Sequence, residues 1–142
     1  MWDEQLHVPL MIRVPGEAPR GSNRLLSSID VLPTAVGFIP ELRDTAFLEQ
    51  GPGMDVLAGD YVEAPVFGMT PRQHRSFSLM TGRWKLLRRE GSVEFLFDLT
   101  QDPHELVDLS AAEPEVTKRL SGMLDESLSV QKAGFGRNSF DR

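Results

Sequence analysis

The sequence predicts an α/β edge element of one strand and one helix, followed by an α+β C-terminal lobe. That lobe is an antiparallel meander sheet covered by a C-terminal helix. Three observations carry this expectation. Val8-Pro9-Leu10-Met11-Ile12-Arg13-Val14 is a nearly unbroken apolar run, as in a strand buried on both faces. Between residues 64 and 98, short apolar runs are separated by turns tight enough for consecutive antiparallel pairing. From Pro114 to Leu128 the apolar period becomes helical.

Pro9 lies near the start of the first run, where a strand tolerates proline, and Pro15-Gly16 ends it. Residues 27–39 read as a helix: Ser28 or Asp30 can accept first-turn N–H groups, Pro33 suits the first turn and Pro40 stops the helix. Residues 41–63 mix Gly, Pro and acidic residues without a period and read as a surface connection with one helical turn. The strands are expected at Ala64–Met69, Ser76–Met80, Arg83–Arg88 and Val93–Asp98, with turns at Thr81-Gly82 and Glu90-Gly91. Trp84, Leu86 and Arg88 alternate with Arg83, Lys85 and Leu87, which predicts one covered and one solvated face. In the last helix Val116, Leu120, Met123, Leu124 and Leu128 make one apolar stripe suited to covering the sheet. Pro114 fits the first helical position, and Glu113 and Glu115 favour the positive end of the dipole. The expected divisions are 1–40 for the edge element, 41–63 for the connection, 64–131 for the lobe and 132–142 for a mobile tail.

At 142 residues, 40% hydrophobic and 25% charged, the composition is that of one ordinary globular domain or two small lobes. A net charge of −6 argues against nucleic acid as a partner, which would require a basic surface. No apolar run approaches the roughly 18 residues that span a bilayer, so no membrane is expected as a partner. The first residues lack the basic start and apolar stretch of a signal peptide. Cysteine is absent, which removes disulfides, thiolate metal sites and a cysteine nucleophile while leaving the compartment open.

The residues with chemical capacity mostly read as structural. His7, His74 and His104 are far apart and show no metal-ligand spacing, and no Gly-x-Ser-x-Gly elbow presents a serine. Asp98 and Asp102 could form a carboxylate pair for acid–base work or calcium. Aspartates flanking a turn before Pro103 are explained more simply as acceptors of backbone N–H groups. Arg75, Arg83, Lys85, Arg88 and Arg89 could approach an anion, yet they read as the wet face of the sheet.

Four segments, in order, resemble sulfatases of the alkaline-phosphatase superfamily. Phe97-Asp98-Leu99-Thr100-Gln101-Asp102-Pro103-His104-Glu105-Leu106-Val107-Asp108-Leu109 is similar to the family's C-terminal "(Tyr/Phe)-Asp-Leu-x-x-Asp-Pro-x-Glu-x-x-Asn-Leu" signature. Residues 2–16 resemble "Tyr-Glu-Glu-x-Leu-(Arg/His)-Val-Pro-Leu-Ile-Ile-Arg-x-Pro-Gly", and Ile29-Asp30-Val31-Leu32-Pro33-Thr34 resembles "Val-Asp-Leu-x-Pro-Thr". Met80-Thr81-Gly82-Arg83-Trp84-Lys85-Leu86-Leu87 looks like "Arg-Thr-Gly-Arg-Tyr-Lys-Leu-Ile". Met80 departs from a common Arg, and Asp108 from the usual Asn.

The resemblance implies that residues 1–40 are a remnant of the sulfatase α/β core and that the chain is the C-terminal part of a sulfate-ester hydrolase. In such a parent, a calcium-activated formylglycine hydrate attacks sulfur. The Cys/Ser-x-Pro-x-Arg motif that supplies it is missing, as are the metal motifs, all of which precede Trp2 in the family. No catalytic or metal residue is therefore expected here, and His7 is the only substrate-cleft candidate. The implied partners are the missing N-terminal sulfatase core and, in the parent, a sulfated small molecule or glycan. Self-association through the exposed core strand is a further expectation, as is Met1 being internal to a longer reading frame or the parent gene being truncated. The alternatives are a stand-alone binding module derived from the lobe, or part of a related phosphodiesterase or phosphonate hydrolase.

Overall fold

The computed structural model describes residues 6–42, 51, 53–59, 61–70, 76–89 and 93–135. The chain divides into two compact units, one of Met1–Arg20 with Phe67–Arg142 and the other of Gly21–Val66.

In the larger unit, β1 (Val66–Thr70), β2 (Ser76–Met80), β3 (Trp84–Arg89) and β4 (Val93–Asp98) form a four-stranded sheet in the order β1-β2-β3-β4. The pairings β2–β3 and β3–β4 are antiparallel, so the meander expected from the turn spacing is present. At the β2–β3 turn, Thr81 N–H donates to Trp84 O at 2.8 Å and Trp84 N–H donates to Thr81 Oγ1 at 3.1 Å. The expected turn at Glu90-Gly91 lies outside the described residues.

Register sets Leu79 opposite Leu86 and Leu86 opposite Leu96, which gathers three apolar side chains on one face. Helix α2 (Pro114–Phe135) covers that face with Leu120 and Leu124, while Val116, Met123 and Leu128 pack around them. The whole predicted stripe is thus used. The helix runs further than its periodic part, so residues 132–135 of the expected tail are helical; the rest of that tail lies outside the described residues. Burying side chains such as Leu120 and Leu124 contributes roughly 1.5–3 kcal/mol each. A polar latch reinforces the contact. Arg88 donates to Glu94 at 2.7 Å, to Asp125 at 2.5 Å and to Ser121 Oγ at 2.7 Å. Burial opposes the Arg88 charge, but bonds to Asp125 and Glu94 outweigh it and raise its pKa.

The opposite face is not solvated as expected. Leu87 and Phe97 are buried there with Leu6, Phe95 and Leu99 packed on them, and Lys85 beside them is fully buried. Alternation reports that two faces differ, but chain from outside the sheet can cover the second one.

The smaller unit is organised by polar groups. A 3-10 turn (Ser28–Asp30) leads into α1 (Val31–Val36), with Ser27 as the N-cap residue. The buried Asp30 accepts from Ser27 N–H and, through its other oxygen, from Met54 N–H, both at 2.9 Å. Thr34, also buried, donates to Asp30 O at 2.6 Å and accepts from Val56 N–H at 3.0 Å. Residues 53–56 are thereby tied to the helix. The expected helical turn of the connection is a 3-10 turn at Pro40–Leu42.

The strand expected over Val8–Val14 is not formed. Among the described residues nothing pairs with it, and Val8 and Met11 are 76% and 91% exposed. The physical reason is that a doubly covered strand is completed by neighbouring strands and apolar layers. Among the described residues no strand pairs with it, so the edge element is represented by its helix.

Candidate functional site

The sulfatase-like signature occupies the end of β4 and the chain reversal after it, and its acidic side chains can be followed one at a time. Asp98, on the last residue of β4, directs Oδ1 to Thr100 N–H at 3.1 Å and to the Thr100 hydroxyl at 2.6 Å. Its Oδ2 accepts from Arg83 Nε at 3.0 Å and Nη2 at 2.8 Å. The Arg83 bond, helped by Thr100, lowers the Asp98 pKa from 3.8 to about 2. The same bond raises the pKa of Arg83, whose guanidinium lies 4.5 Å from the centre of the Trp84 ring.

Asp102 uses one oxygen twice, accepting from Leu106 N–H at 2.6 Å and Val107 N–H at 2.8 Å. This is the capping role expected of a turn aspartate. Glu105 sits between the acceptor and the donors of that cap with φ +55°, a left-handed conformation uncommon outside glycine. Its side chain is buried and accepts from the buried Lys85 Nζ at 2.5 Å, while among the described residues Oε2 has no hydrogen-bond partner.

Asp108 closes the segment. Its Oδ1 accepts from Leu96 N–H at 3.0 Å and Ser110 N–H at 2.9 Å, and Leu109 N–H donates to Leu96 O at 2.8 Å. Partial burial opposes the Asp108 charge, but the N–H bonds prevail and lower its pKa. β4 is the last strand of the sheet, so these bonds occupy polar groups on an edge that would otherwise be open to pairing. The Asn-to-Asp departure at 108 preserves the acceptor that this arrangement requires.

Asp98 and Asp102 each accept N–H groups of the turn, the structural use expected of aspartates flanking it. The described residues contain no group of three or more His, Asp or Glu that could hold a metal ion. The basic strip does not converge either. Arg83 is paired with Asp98, Lys85 with Glu105, and Arg88 with Glu94 and Asp125, while Arg89 lies over the Phe95 ring at 5.1 Å. Arg75 lies outside the described residues, as does His74; His7 and His104 are exposed. Reading the sequence missed the Lys85–Glu105 pair. The available signal was a lysine flanked by Trp84 and Leu86 in a strand, with a glutamate fixed in the signature.

Comparison with known proteins agrees with the signature. No protein-family model matches the chain. It is 26% identical over 149 residues to chicken (Gallus gallus) arylsulfatase K, covering 93% of this chain and 28% of that protein. The bovine (Bos taurus) arylsulfatase K is 25% identical over 158 residues, covering 100% and 29%. Among solved structures, the 2-O GAG sulfatase BT1596 superposes with a TM-score of 0.61 at 17% identity, over 78% of this chain and 26% of that one. BT4656, solved with its substrate D-glucosamine-2-N,6-O-disulfate, gives 0.52 at 17% identity, over 73% and 24%. The chain therefore spans less than a third of the length of each of these proteins.

Proposed function

We infer that this chain, a C-terminal sulfatase portion by its sequence likeness and fold, serves sulfate-ester hydrolysis as the supporting part of the enzyme and performs no turnover alone. The observation that carries this reading is the engagement of the signature carboxylates. Asp98, Asp102 and Asp108 accept N–H groups of their own turn, and Glu105 meets Lys85, which supports a structural use of all four. The electrostatic stabilisation and metal chemistry that dominate such reactions need preorganised groups aimed at the reacting centre. In this reading those groups, with the calcium and the formylglycine, belong to an N-terminal sulfatase core that acts as the partner. His7 is the residue of this chain closest to the substrate cleft. Substrates to assay are an aryl sulfate and a sulfated glucosamine, following the names of the relatives.

The test is product release from a chromogenic aryl sulfate by the purified chain with calcium. The expected rate equals that of calcium and buffer alone. Turnover that disappears on changing His7 or Asp98 would overturn the supporting role.

A further inference from the structure

We propose that Asp102–Pro103 is a self-scission site: in acid the Asp102 carboxylate cuts its own peptide bond when the turn opens, and the folded turn holds that cut back. This is the one Asp-Pro bond of the chain. Nucleophile, carbonyl and leaving nitrogen all belong to two adjacent residues. The inference is therefore independent of the sulfatase reading and of anything that packs on the outside of the lobe.

The chemistry follows from the two residue types. The Pro103 nitrogen carries an extra carbon in place of hydrogen, so it takes a proton more readily than an ordinary peptide nitrogen and leaves more easily. A carboxylate oxygen of Asp102 attacks the Asp102 carbonyl carbon and closes a cyclic anhydride. The C–N bond breaks with its electron pair going to nitrogen, which takes a proton from the acidic solvent and departs as a secondary amine. Water then opens the anhydride, restoring the side-chain carboxyl and leaving a terminal carboxyl on residue 102. One water is consumed, and nothing is oxidised or reduced.

The structure supplies both the access and the restraint. Pro103 is exposed, so solvent protons reach its nitrogen, and among the described residues no donor meets Asp102 Oδ1. Against this, Oδ2 is held by Leu106 N–H at 2.6 Å and Val107 N–H at 2.8 Å. Asp102 N–H donates to Asp98 O at 2.8 Å, and Asp102 O accepts from Glu105 N–H at 3.2 Å. The attack turns the carboxylate back on its own carbonyl and changes the carbonyl carbon from planar to tetrahedral. Side chain and backbone are both tied in the closed turn, so the reaction draws on its opened form. The cut falls between Asp98 and Glu105 and separates the sheet from α2, which makes opening in acid irreversible.

The test is intact-mass analysis of the full chain held at about pH 4, above the window in which Asp98 loses its charge, with and without guanidinium chloride. Pieces 1–102 and 103–142 are expected, their masses summing to that of the chain plus one water. Their rate of appearance should rise about tenfold or more as tryptophan fluorescence reports unfolding. Asp102→Asn keeps an acceptor for the cap but replaces the nucleophile, and Pro103→Ala restores an ordinary leaving nitrogen. Both should abolish the cut in guanidinium chloride, where differences in folding no longer count. After neutralisation and removal of denaturant, recovery of native fluorescence should decline with time in acid for the unaltered chain and stay constant for Asp102→Asn. No cut in denaturant, a cut that persists in Asp102→Asn, or equal cutting beside other aspartates would overturn the self-scission. Equal rates with and without denaturant would overturn the restraint by the turn.

Discussion

Lys85 shows how a single residue changes character once its distant partner is known. By strand alternation it belongs on a wet face, yet it is fully buried against Glu105, twenty residues along the chain. Removing one member of a buried pair leaves the other charged and unpaired, at a cost of about 3–5 kcal/mol, whereas replacing both with apolar groups costs much less. Lys85→Met is therefore expected to lower the urea midpoint strongly, and Lys85→Met with Glu105→Leu to recover most of the loss. An additive double mutant would show that the two groups do not depend on each other. Asp98 makes a second, pH-dependent prediction. Its pKa in the folded chain is depressed to about 2 from 3.8, so its contribution is complete above the higher value and is lost as pH falls toward the lower. Urea midpoints measured between about pH 5 and pH 2 should fall less steeply for Asp98→Asn than for the unaltered chain. Parallel profiles would remove Asp98 from the acid response.

At the scale of elements, α1 and residues 53–56 form one unit because Asp30 and Thr34 each reach a backbone N–H across the gap. Gly53 permits the approach: a Cβ there would lie 2.1 Å from Ile29 O. Gly53→Ala should therefore destabilise the Gly21–Val66 unit by about 1–3 kcal/mol, the usual cost of forced crowding. Amide exchange at Met54 and Val56 should rise with it; unchanged exchange would mean that the loop accommodates the methyl group elsewhere. Neither Gly53 nor its contact was legible in the sequence, because the glycine and Ile29 are separated by a span with no period. The meander and α2 were legible because turn chemistry and apolar period act locally. Val8–Val14 was read as a strand for the same local reason, and failed because strand formation needs a neighbour that periodicity does not supply. The N–H bonds accepted by the two aspartates of the turn were legible from their place beside Pro103, whereas Lys85 with Glu105 required knowledge of which loop lies over which strand.

For the molecule as a whole, the sulfatase-like signature acts as a clasp between the sheet and the loop that follows it. Asp98 holds the strand end, Asp102 the turn, Glu105 the buried lysine and Asp108 the outer edge of β4. The most direct test is urea unfolding of Asp98→Ala, Asp102→Ala, Glu105→Ala and Asp108→Ala. Trp84, on the covered face of the lobe, reports fluorescence once Trp2 is replaced by Phe, since these are the two tryptophans of the chain. All four substitutions should lower the midpoint, Glu105→Ala the most because it leaves Lys85 buried without a partner. Asp108→Asn should stay near the unaltered chain because it keeps the acceptor. Midpoints unchanged by three of the four alanines would contradict the clasp and return these carboxylates to the list of groups free for chemistry.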